Sequence, residues 1–427
     1  MTPDRFKIAL VDPSLFTVPY DAKLADALRG LGHEVSIYGE ARAPGDEATE
    51  LAGMRPLFYP ELLQLGARGW PRQVLRVMKG AFHWRAMRRL IDDFAKSRPD
   101  VIHFQWLPLP LLDRRFLPAL RRLAPVVLTV HDSLPFNGAA WRLQKIGATS
   151  IMGETDGVIV HTEQARDRLV SHGVPAARQT RIPHGLLNDV TPVTVRAPQA
   201  SDRVRVLLFG KLKPYKGADV LIEAFRLLPT DIRDRAEIRI VGKPYMDVGP
   251  LVTAARGLAR GVHLDFRFVP DDEINAMLEL ANVVVFPYRE IDISGVLMTA
   301  LRHGRPIIAS RIGGFAELLV DGRHGILVPP DDPAALAAAM TQLCASPEER
   351  RAMGAAVAGL GAAIPDWADI AGATVDFYRL VLANYQNQRS GTKMVSPGPM
   401  GVVSLAAQRR RSGSPERAID IPSLRAR

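Results

Sequence analysis

Two lysines, Lys211 and Lys216, lie in a short loop between an apolar run and an amphipathic run. The run 204–209 is typical of a buried strand, and the residues from Gly217 onward have the apolar spacing of a helix. Two ammonium groups at the end of a parallel strand can neutralise a diphosphate leaving group without a metal. Loop lysines are more often simply solvated, so this loop alone leaves both interpretations open.

A second candidate anion site follows the apolar run that begins at Ala281 and closes at Pro287. Ser294 and Gly295 stand directly before a helical run, where the N–H groups from Ser294 to Val296 would open the helix. The carboxyl ends of parallel strands share one edge of a sheet, so this helix start and the lysines are expected to face the same crevice. The alternative is an ordinary strand-to-helix connection in which Ser294 is only a cap.

Together these segments resemble the C-terminal domain of family 4 glycosyltransferases, which have the GT-B fold and retain anomeric configuration. The resemblance rests on Gly210-Lys211-Leu212, on Lys216-Gly217 and on Gly304-Arg305-Pro306. Lys211 stands where the family has an arginine, and Thr299 stands where it has the second of two glutamates. Thr299 can offer the ribose of a nucleotide only a weaker hydrogen bond than that glutamate.

The resemblance implies roles around a nucleotide-diphospho-sugar. Lys211 and Lys216 would stabilise the leaving oxygens, and Glu290 or Asp292 would hold the sugar hydroxyls. The positions implied to bind the rest of the donor are Gly210, Gly242, Val269, Ser294, Gly295, Val296, Thr299 and Glu317.

Candidate acceptor-side residues follow strands in the first half. The runs 100–104 and 125–131 end near His103 and His131, and Trp106 could offer a stacking face to a sugar ring. His131-Asp132 followed by Pro135 resembles a family segment that faces the donor sugar and the acceptor, which places His131 among the catalytic candidates. His184 resembles a cleft residue at the end of the first domain. A lone histidine is more often structural, and for His103 that alternative remains open.

The order of predicted elements indicates an α/β protein with Rossmann-like halves. The resemblance implies the GT-B architecture, in which two such domains face each other across a cleft. Apolar spacing near the C-terminus predicts a long helix, and the resemblance implies that it crosses back to the first domain. The predicted divisions are an acceptor-side domain at 1–188, a linker at 189–203, a nucleotide-sugar domain at 204–364, the crossover helix at 365–386 and a disordered basic tail at 387–427.

Composition excludes several classes of protein. The chain has 427 residues, 47% of them hydrophobic, and no apolar run long enough for a transmembrane helix or a signal peptide. Its single cysteine, Cys344, excludes an intrachain disulfide and fits the cytoplasm. Cysteine and histidine patterns with metal spacing are absent from the sequence, and no cofactor is predicted.

The net charge of +10 indicates an anionic partner only where the basic residues are clustered on one segment or face. Residues 66–96 alternate arginines with apolar and tryptophan positions, a pattern that can lie on an anionic bilayer. An ordinary helix with a solvated basic face is slightly favoured. Nucleic acid is not an expected partner, because no nucleic-acid module accompanies the charge.

The resemblance implies a retaining hexosyltransferase that uses a nucleotide-diphospho-sugar and a saccharide or polyprenyl-linked acceptor. Its expected setting is surface polysaccharide or glycoconjugate assembly, in the cytoplasm or peripheral on the inner membrane face. A dinucleotide-dependent enzyme is an alternative, but no G-x-G-x-x-G follows the first strand. Thr299 suggests another alternative, a non-catalytic nucleotide-sugar-binding protein of the same fold.

Overall fold

Two parallel β-sheets with helices on both faces form the framework of the protein. The computed structural model describes residues 5–42, 53–65, 72–133, 147–187, 203–258 and 260–390. These residues all belong to one compact unit, Met1–Val395. Nearly all of the predicted linker and of the predicted basic tail lies outside the described residues. Among the described helices, none combines the length and apolar character needed to cross a membrane.

The first half of the chain builds the larger sheet. Its elements are β1 (Lys7–Asp12), α1 (Val18–Gly30), β2 (Glu34–Glu40), β3 (Met54–Phe58), α2 (Pro60–Gln64), α3 (Arg72–Ser97), β4 (Val101–Phe104), α4 (Pro110–Asp113), α5 (Leu117–Leu123), β5 (Val126–Val130), α6 (Ala148–Met152), β6 (Gly157–Val160), α7 (Glu163–Ser171) and β7 (Gln179–Arg181). The strand order is β3-β2-β1-β4-β5-β6-β7.

The second half builds the smaller sheet. Its elements are β8 (Val204–Phe209), α8 (Ala218–Arg226), α9 (Thr230–Arg233), β9 (Ala236–Val241), α10 (Gly249–Ala255), β10 (Val262–Asp265), α11 (Asp271–Leu280), β11 (Val283–Phe286), α12 (Gly295–Ala300), β12 (Ile307–Ser310), α13 (Gly313–Leu318), β13 (Gly325–Val328), α14 (Pro333–Ala345), α15 (Pro347–Ala363) and α16 (Trp367–Ser390). The strand order is β10-β9-β8-β11-β12-β13.

Alternation along the buried strands explains the layered packing. On β1, Ile8 and Leu10 join a core with α1 and α16, whereas Ala9 and Val11 join a core with α3 and α5 on the other face. Successive side chains of a strand point to opposite faces, so a strand that is apolar throughout must be covered twice. The near-continuous apolar runs of the sequence therefore predict the parallel sheets.

The last helix, α16, packs on the first sheet. Its residues Phe377 and Val381 cover Gly157, where a Cβ would lie 2.9 and 2.7 Å from their side chains. The prediction of a crossover helix is confirmed, but its end is not. Helix α16 runs to Ser390, so residues 387–390 are helical and do not belong to a disordered tail. The Tyr385 hydroxyl donates to the carbonyl of Arg121 at 2.6 Å and attaches the helix to the first half.

Two strands differ from the sequence-based prediction. The sequence does not predict β3, because Pro56 removes a ladder donor; β3 accommodates it as the edge strand of its sheet. The sequence pattern predicts a strand at 265–268, whereas β10 begins at Val262, which pairs with Ile238. The polar residues His263 and Asp265 obscure its apolar pattern.

Candidate active site

Strands β8 and β11 are neighbours at the point where the strand order of the second sheet reverses. The loop after β8 carries Lys211 and Lys216, and the loop after β11 carries Glu290, Asp292 and Ser294. At such a reversal the two connections leave on opposite faces of the sheet, and ligands bind in the crevice between them. The fold therefore brings the two segments identified in the sequence to one crevice.

Lys216 is buried, with 4% of its surface exposed. A Cβ placed on Gly210 would lie 3.0 Å from Lys216 Nζ and 3.0 Å from Val296 Cγ2, so the ammonium group lies beside the start of α12. The Nζ atom also lies 5.0 Å from the ring centroid of Tyr288, within the range of a cation–π contact. Burial lowers the pKa of Lys216, and within the described ranges no carboxylate pairs with it.

A close backbone approach holds these two loops together. Gly217 has a φ of +66°, and a Cβ there would lie 2.0 Å from the carbonyl oxygen of Pro287. Any L-residue would be strained and would push the loops apart. The Arg289 N–H also donates to the Tyr215 carbonyl at 2.7 Å. In the Lys216-Gly217 pair, Lys216 therefore supplies the charge, and Gly217 makes the close contact with Pro287 that positions the lysine.

Lys211 and Lys213 complete a cluster of three lysines. Partial desolvation, and then the charges of Lys213, Lys216 and Arg42, lower the pKa of Lys211; desolvation and the Lys216 charge lower that of Lys213. Neither lysine has a carboxylate within ion-pair distance in the part of the chain that the structure describes. Arg42 follows β2 in the first half, so both halves contribute positive charge. Such a cluster suits a diphosphate.

Ser294 caps α12. Its Oγ accepts a hydrogen bond from Leu297 N at 3.2 Å, and its carbonyl accepts one from Met298 N at 3.1 Å. Gly295 and Val296 come before Leu297, the first residue whose N–H is bonded, so their own N–H groups have no intrahelical acceptor. The helix has only six residues, so its dipole is weak, and the lysines supply most of the positive potential.

In the first half, a chain of hydrogen bonds fixes the ring of His131. Its Nε2 lies 3.0 Å from Gln105 Oε1 and must carry the proton, because an amide oxygen only accepts. Gln105 Nε2 lies 3.4 Å from His103 Nε2, and His103 Nδ1 lies 2.6 Å from the Tyr378 hydroxyl. His131 Nδ1 is therefore an unprotonated acceptor. The His131 ring stacks on Trp106, with centroids 5.7 Å apart.

The ring of His131 also belongs to a buried aromatic cluster. Tyr20 lies at its centre, with centroids 4.8 Å from His131, 5.4 Å from His161 and 5.1 Å from His184. Burial lowers the pKa of His161 to about 4 and that of His184 to about 3, and it holds the pKa of His131 well below its usual range. All three rings are therefore neutral near pH 7.

The structure corrects the acceptor-side role of two histidines. His103 is fully buried, and both of its ring nitrogens are bonded, Nδ1 to Tyr378 and Nε2 to Thr129 at 2.7 Å. His184 is 6% exposed and packs inside the aromatic cluster. Neither ring reaches a ligand. Trp106 remains partly exposed beside His131, where a sugar ring could contact it.

Two of the predicted donor-binding side chains are bonded within the protein in this conformation. The Thr299 hydroxyl donates to the Gly295 carbonyl at 3.1 Å within its own helix. The carboxylate of Glu317 accepts hydrogen bonds from the N–H groups of Glu163, at 2.9 Å, and Gln164, at 2.7 Å, at the start of α7. A bond of this kind satisfies unpaired groups of a helix start and is therefore structural.

The two carboxylates proposed to hold the sugar have different surroundings. Asp292 is 3% exposed, and both of its oxygens are bonded to the first half, one to Arg168 at 2.9 Å and one to the N–H of Ser133. It is therefore not available to sugar hydroxyls. Glu290 is partly exposed and makes no ion pair with described residues. It remains the candidate for the sugar.

Gly242 and Val269 follow β9 and β10 at the same sheet edge. A Cβ on Gly242 would lie 2.0 Å from the carbonyl oxygen of Gly210, so the loop after β9 packs directly on the lysine loop. Val269 packs, partly buried, on the core beneath α11. Both lie beside the crevice, where the resemblance places the base.

Sequence reasoning missed three residues of this site. Lys213 had a signal, since it is a third lysine in the same loop. Gln105 follows His103 but nothing in its own type or spacing predicts that it orients His131. Arg168 lies in a regular helix, and its partner Asp292 is 124 residues away, so no local pattern could reveal it.

Two family models match the chain. One, described as Glycosyltransferase Family 4, matches residues 22–186, and one, described as Glycosyl transferases group 1, matches residues 203–346. The first model spans β2 to β7 and the second spans β8 to β13, and together they match well over half of the chain.

Curated relatives include two bacterial enzymes. A D-inositol 3-phosphate glycosyltransferase of Geodermatophilus obscurus is 30% identical over 250 residues, covering 52% of this chain and 55% of that enzyme. The match thus spans little more than half of that relative's length. A GDP-mannose-dependent alpha-(1-6)-phosphatidylinositol monomannoside mannosyltransferase of Mycolicibacterium smegmatis is 28% identical over 362 residues, covering 78% of this chain and 87% of that enzyme.

Solved structures share the architecture. The Anabaena protein HepE in complex with UDP-glucose has a TM-score of 0.66 at 16% identity, over 87% of this chain and 98% of that one. Sucrose-phosphate synthase from Thermosynechococcus elongatus has a TM-score of 0.68 at 22% identity, over 89% of this chain and 100% of that one. These neighbours confirm the predicted two-domain GT-B fold. With both sheets matched by family models, the chain belongs to the group 1 glycosyltransferases of family 4.

Proposed function

We propose that the protein transfers a sugar from a nucleotide-diphospho-sugar to a saccharide or lipid-linked acceptor, with retention of anomeric configuration. The observation that carries the proposal is the cluster of Lys211, Lys213 and Lys216 beside the start of α12. These cations have no carboxylate partner among the described residues. Of the three, Lys216 is buried, and a buried cation without a counterion is costly to maintain and is characteristic of a site that binds an anion.

The leaving diphosphate would lie in this cluster. As the bond between the anomeric carbon and the phosphate oxygen breaks, negative charge grows on the diphosphate and positive charge on the sugar. Lys216 and the N–H groups of Gly295 and Val296 are placed to stabilise the leaving oxygens, in a water-poor site where such stabilisation is strong. The relatives support the donor class, since one is named for GDP-mannose and HepE was solved with UDP-glucose.

The sugar and the acceptor would lie toward the first half. His131 Nδ1 is an unprotonated acceptor and can bind a hydroxyl of the sugar, while Glu290, on the loop after β11, would hold another hydroxyl. Trp106 can support the acceptor ring. The acceptor oxygen forms the new bond to the anomeric carbon and its proton passes toward the departing diphosphate. We assign the reaction to surface polysaccharide or glycoconjugate assembly.

A second function, binding without transfer, is favoured by one observation. The Thr299 hydroxyl is used within α12, at 3.1 Å from the Gly295 carbonyl, so the ribose lacks the contact that the family pattern provides. A protein that kept the lysine cluster but lost this contact could hold a nucleotide sugar without reacting it.

A panel of UDP-, GDP-, ADP- and dTDP-sugars tests both functions. One donor class is expected to stabilise the protein, by about 2.7 kcal/mol at a hundred times its Kd, and to release its nucleoside diphosphate slowly by hydrolysis. Thermal shift measures the first effect and a coupled nucleotide assay the second. Stabilisation without hydrolysis or transfer would favour the binding protein. Neither effect with any donor would contradict both functions.

We also propose that α3 rests on an anionic membrane surface. Its outer face exposes Val74, Val77 and Trp84, at 43%, 72% and 36%, next to the exposed Arg85 and Arg88. Apolar side chains beside cations are the combination that an anionic bilayer binds. A lipid-linked acceptor would lie at the same surface.

Co-sedimentation with vesicles tests this proposal. Vesicles with a third of anionic lipid are expected to bind the protein, and neutral vesicles are not. Arg85→Glu with Arg88→Glu should weaken binding at least thirtyfold, since each cation contributes about 1 kcal/mol. Arg256→Glu with Arg323→Glu, on exposed loops of the second half, controls for net charge. Equal binding of all three proteins would contradict a role of α3.

A further inference from the structure

Asp292 belongs to the second half of the chain but gives both carboxylate oxygens to the first half. Oδ1 accepts a hydrogen bond from Arg168 of α7 at 2.9 Å, and Oδ2 accepts one from the N–H of Ser133. Arg168 also donates to Ser133 Oγ at 2.8 Å. The three groups form a closed triangle of bonds, in which the Asp292 side chain is 3% exposed.

Two members of this triangle lie in the loops that carry the proposed sugar site and the proposed diphosphate site. Ser133 follows His131 by two residues, and Asp292 precedes Ser294, the cap of α12, by two residues. A movement of either loop therefore moves a proposed sugar-binding ring relative to the proposed diphosphate site. We propose that Asp292 and Arg168 are positioning residues that fix the distance between His131 and the start of α12 across the cleft. This inference rests on the proposed function.

A second bond supports the same helix from the same side. Glu317 accepts from the N–H groups of Glu163 and Gln164 in the first turn of α7. A Cβ on Gly314, which precedes Glu317 on α13, would lie 3.3 Å from Thr162 Cγ2. α7 is thus held at its first turn and again at Arg168. Two separate attachments restrict rotation of the halves about either one.

The chemistry of the contact makes it specific. A charge-assisted bond between guanidinium and carboxylate is stronger than a neutral bond when both groups are desolvated. Removal of Arg168 leaves the Asp292 charge buried and unpaired, whereas the Arg168 side chain is 24% exposed and stays partly solvated when Asp292 is removed. Asp292→Asn keeps an oxygen for the Ser133 N–H but loses the ion pair, and Arg168→Met removes the guanidinium while filling its space. Both variants should loosen the cleft without altering the lysine cluster.

Steady-state kinetics with the donor identified by the panel test this positioning role. Asp292→Asn and Arg168→Met are each expected to lower kcat for transfer ten- to a hundredfold, with KM for the donor changed less than threefold. The ratio of donor hydrolysis to transfer should rise, because water enters a cleft that closes poorly. Arg166→Met is the matched control on the same helix, since among the residues that the structure describes Arg166 pairs only with Glu163 of its own half. It should stay within twofold of wild type.

A charge exchange separates positioning from a general loss of folding. Asp292→Arg combined with Arg168→Asp should recover part of the lost kcat relative to either single change. Small-angle scattering should show a larger radius of gyration for the single variants without any donor. Wild-type kcat in both variants, or a raised donor KM at unchanged kcat, would overturn the inference, the latter by making Asp292 a donor ligand. A wild-type protein inert toward every donor would instead contradict the proposed function.

Discussion

Replacing Lys216 with methionine is expected to lower kcat for transfer roughly a hundredfold while leaving the protein at least as stable as wild type. Loss of one charge that stabilises the leaving oxygens raises the barrier by about 3 kcal/mol. Burial already lowers the pKa of Lys216, which means that the free protein is destabilised by the charge. Methionine fills a similar volume without it. Initial rates and thermal unfolding of the variant measure the two effects.

The combination of effects distinguishes a functional lysine from a structural one. A structural lysine would lower stability and activity together. Lys96→Met, an exposed residue near the end of α3, controls for the loss of a positive charge and should leave both quantities unchanged. Transfer at the wild-type rate by the Lys216→Met protein would remove the lysine cluster from the reaction.

The second large effect is an acid destabilisation that originates in the buried histidines. Burial lowers the pKa of His161 to about 4 and that of His103 and His184 to about 3, whereas an unfolded histidine has a pKa near 6.5. Between these values the unfolded chain binds more protons than the folded one. The free energy of unfolding therefore falls as the pH is lowered through this window. One such histidine contributes roughly 1.5 kcal/mol between pH 6.5 and pH 5.

Buried carboxyls act in the opposite direction and reduce the total slope. Burial raises the pKa of Asp12, Asp21 and Glu40, so the folded state binds their protons more readily than the unfolded state does. A single variant isolates the histidine effect. The unfolding free energy of His161→Phe should fall by roughly 1.5 kcal/mol less than that of wild type over the same interval. Denaturant unfolding at both pH values measures this difference. An equal fall in the unfolding free energy of wild type and of His161→Phe between pH 6.5 and pH 5 would contradict this assignment.

Much of the second half could be predicted from local pattern. The apolar run before Phe209, the lysines after it and Gly217 predict a strand, an anion-binding loop and a helix in that order. A single edge collects the ends of all parallel strands, so the sequence could also place Ser294 near Lys216. The acceptor-side residues were predicted less well, because a histidine after a strand has the same appearance in a sequence whether it faces a cleft, like His131, or the core, like His103.

The sequence by itself determined two α/β halves, their order, a long C-terminal helix and the loops that carry the cations. These features depend on the periodicity of neighbouring residues, which is local information. Only the tertiary structure decided what the carboxylates do. Asp292 and Glu317 bind groups 124 and 154 residues away in the chain, Arg168 and the N–H of Glu163. Those contacts exist because the two halves dock in one orientation, and the docking depends on the whole shape of both surfaces.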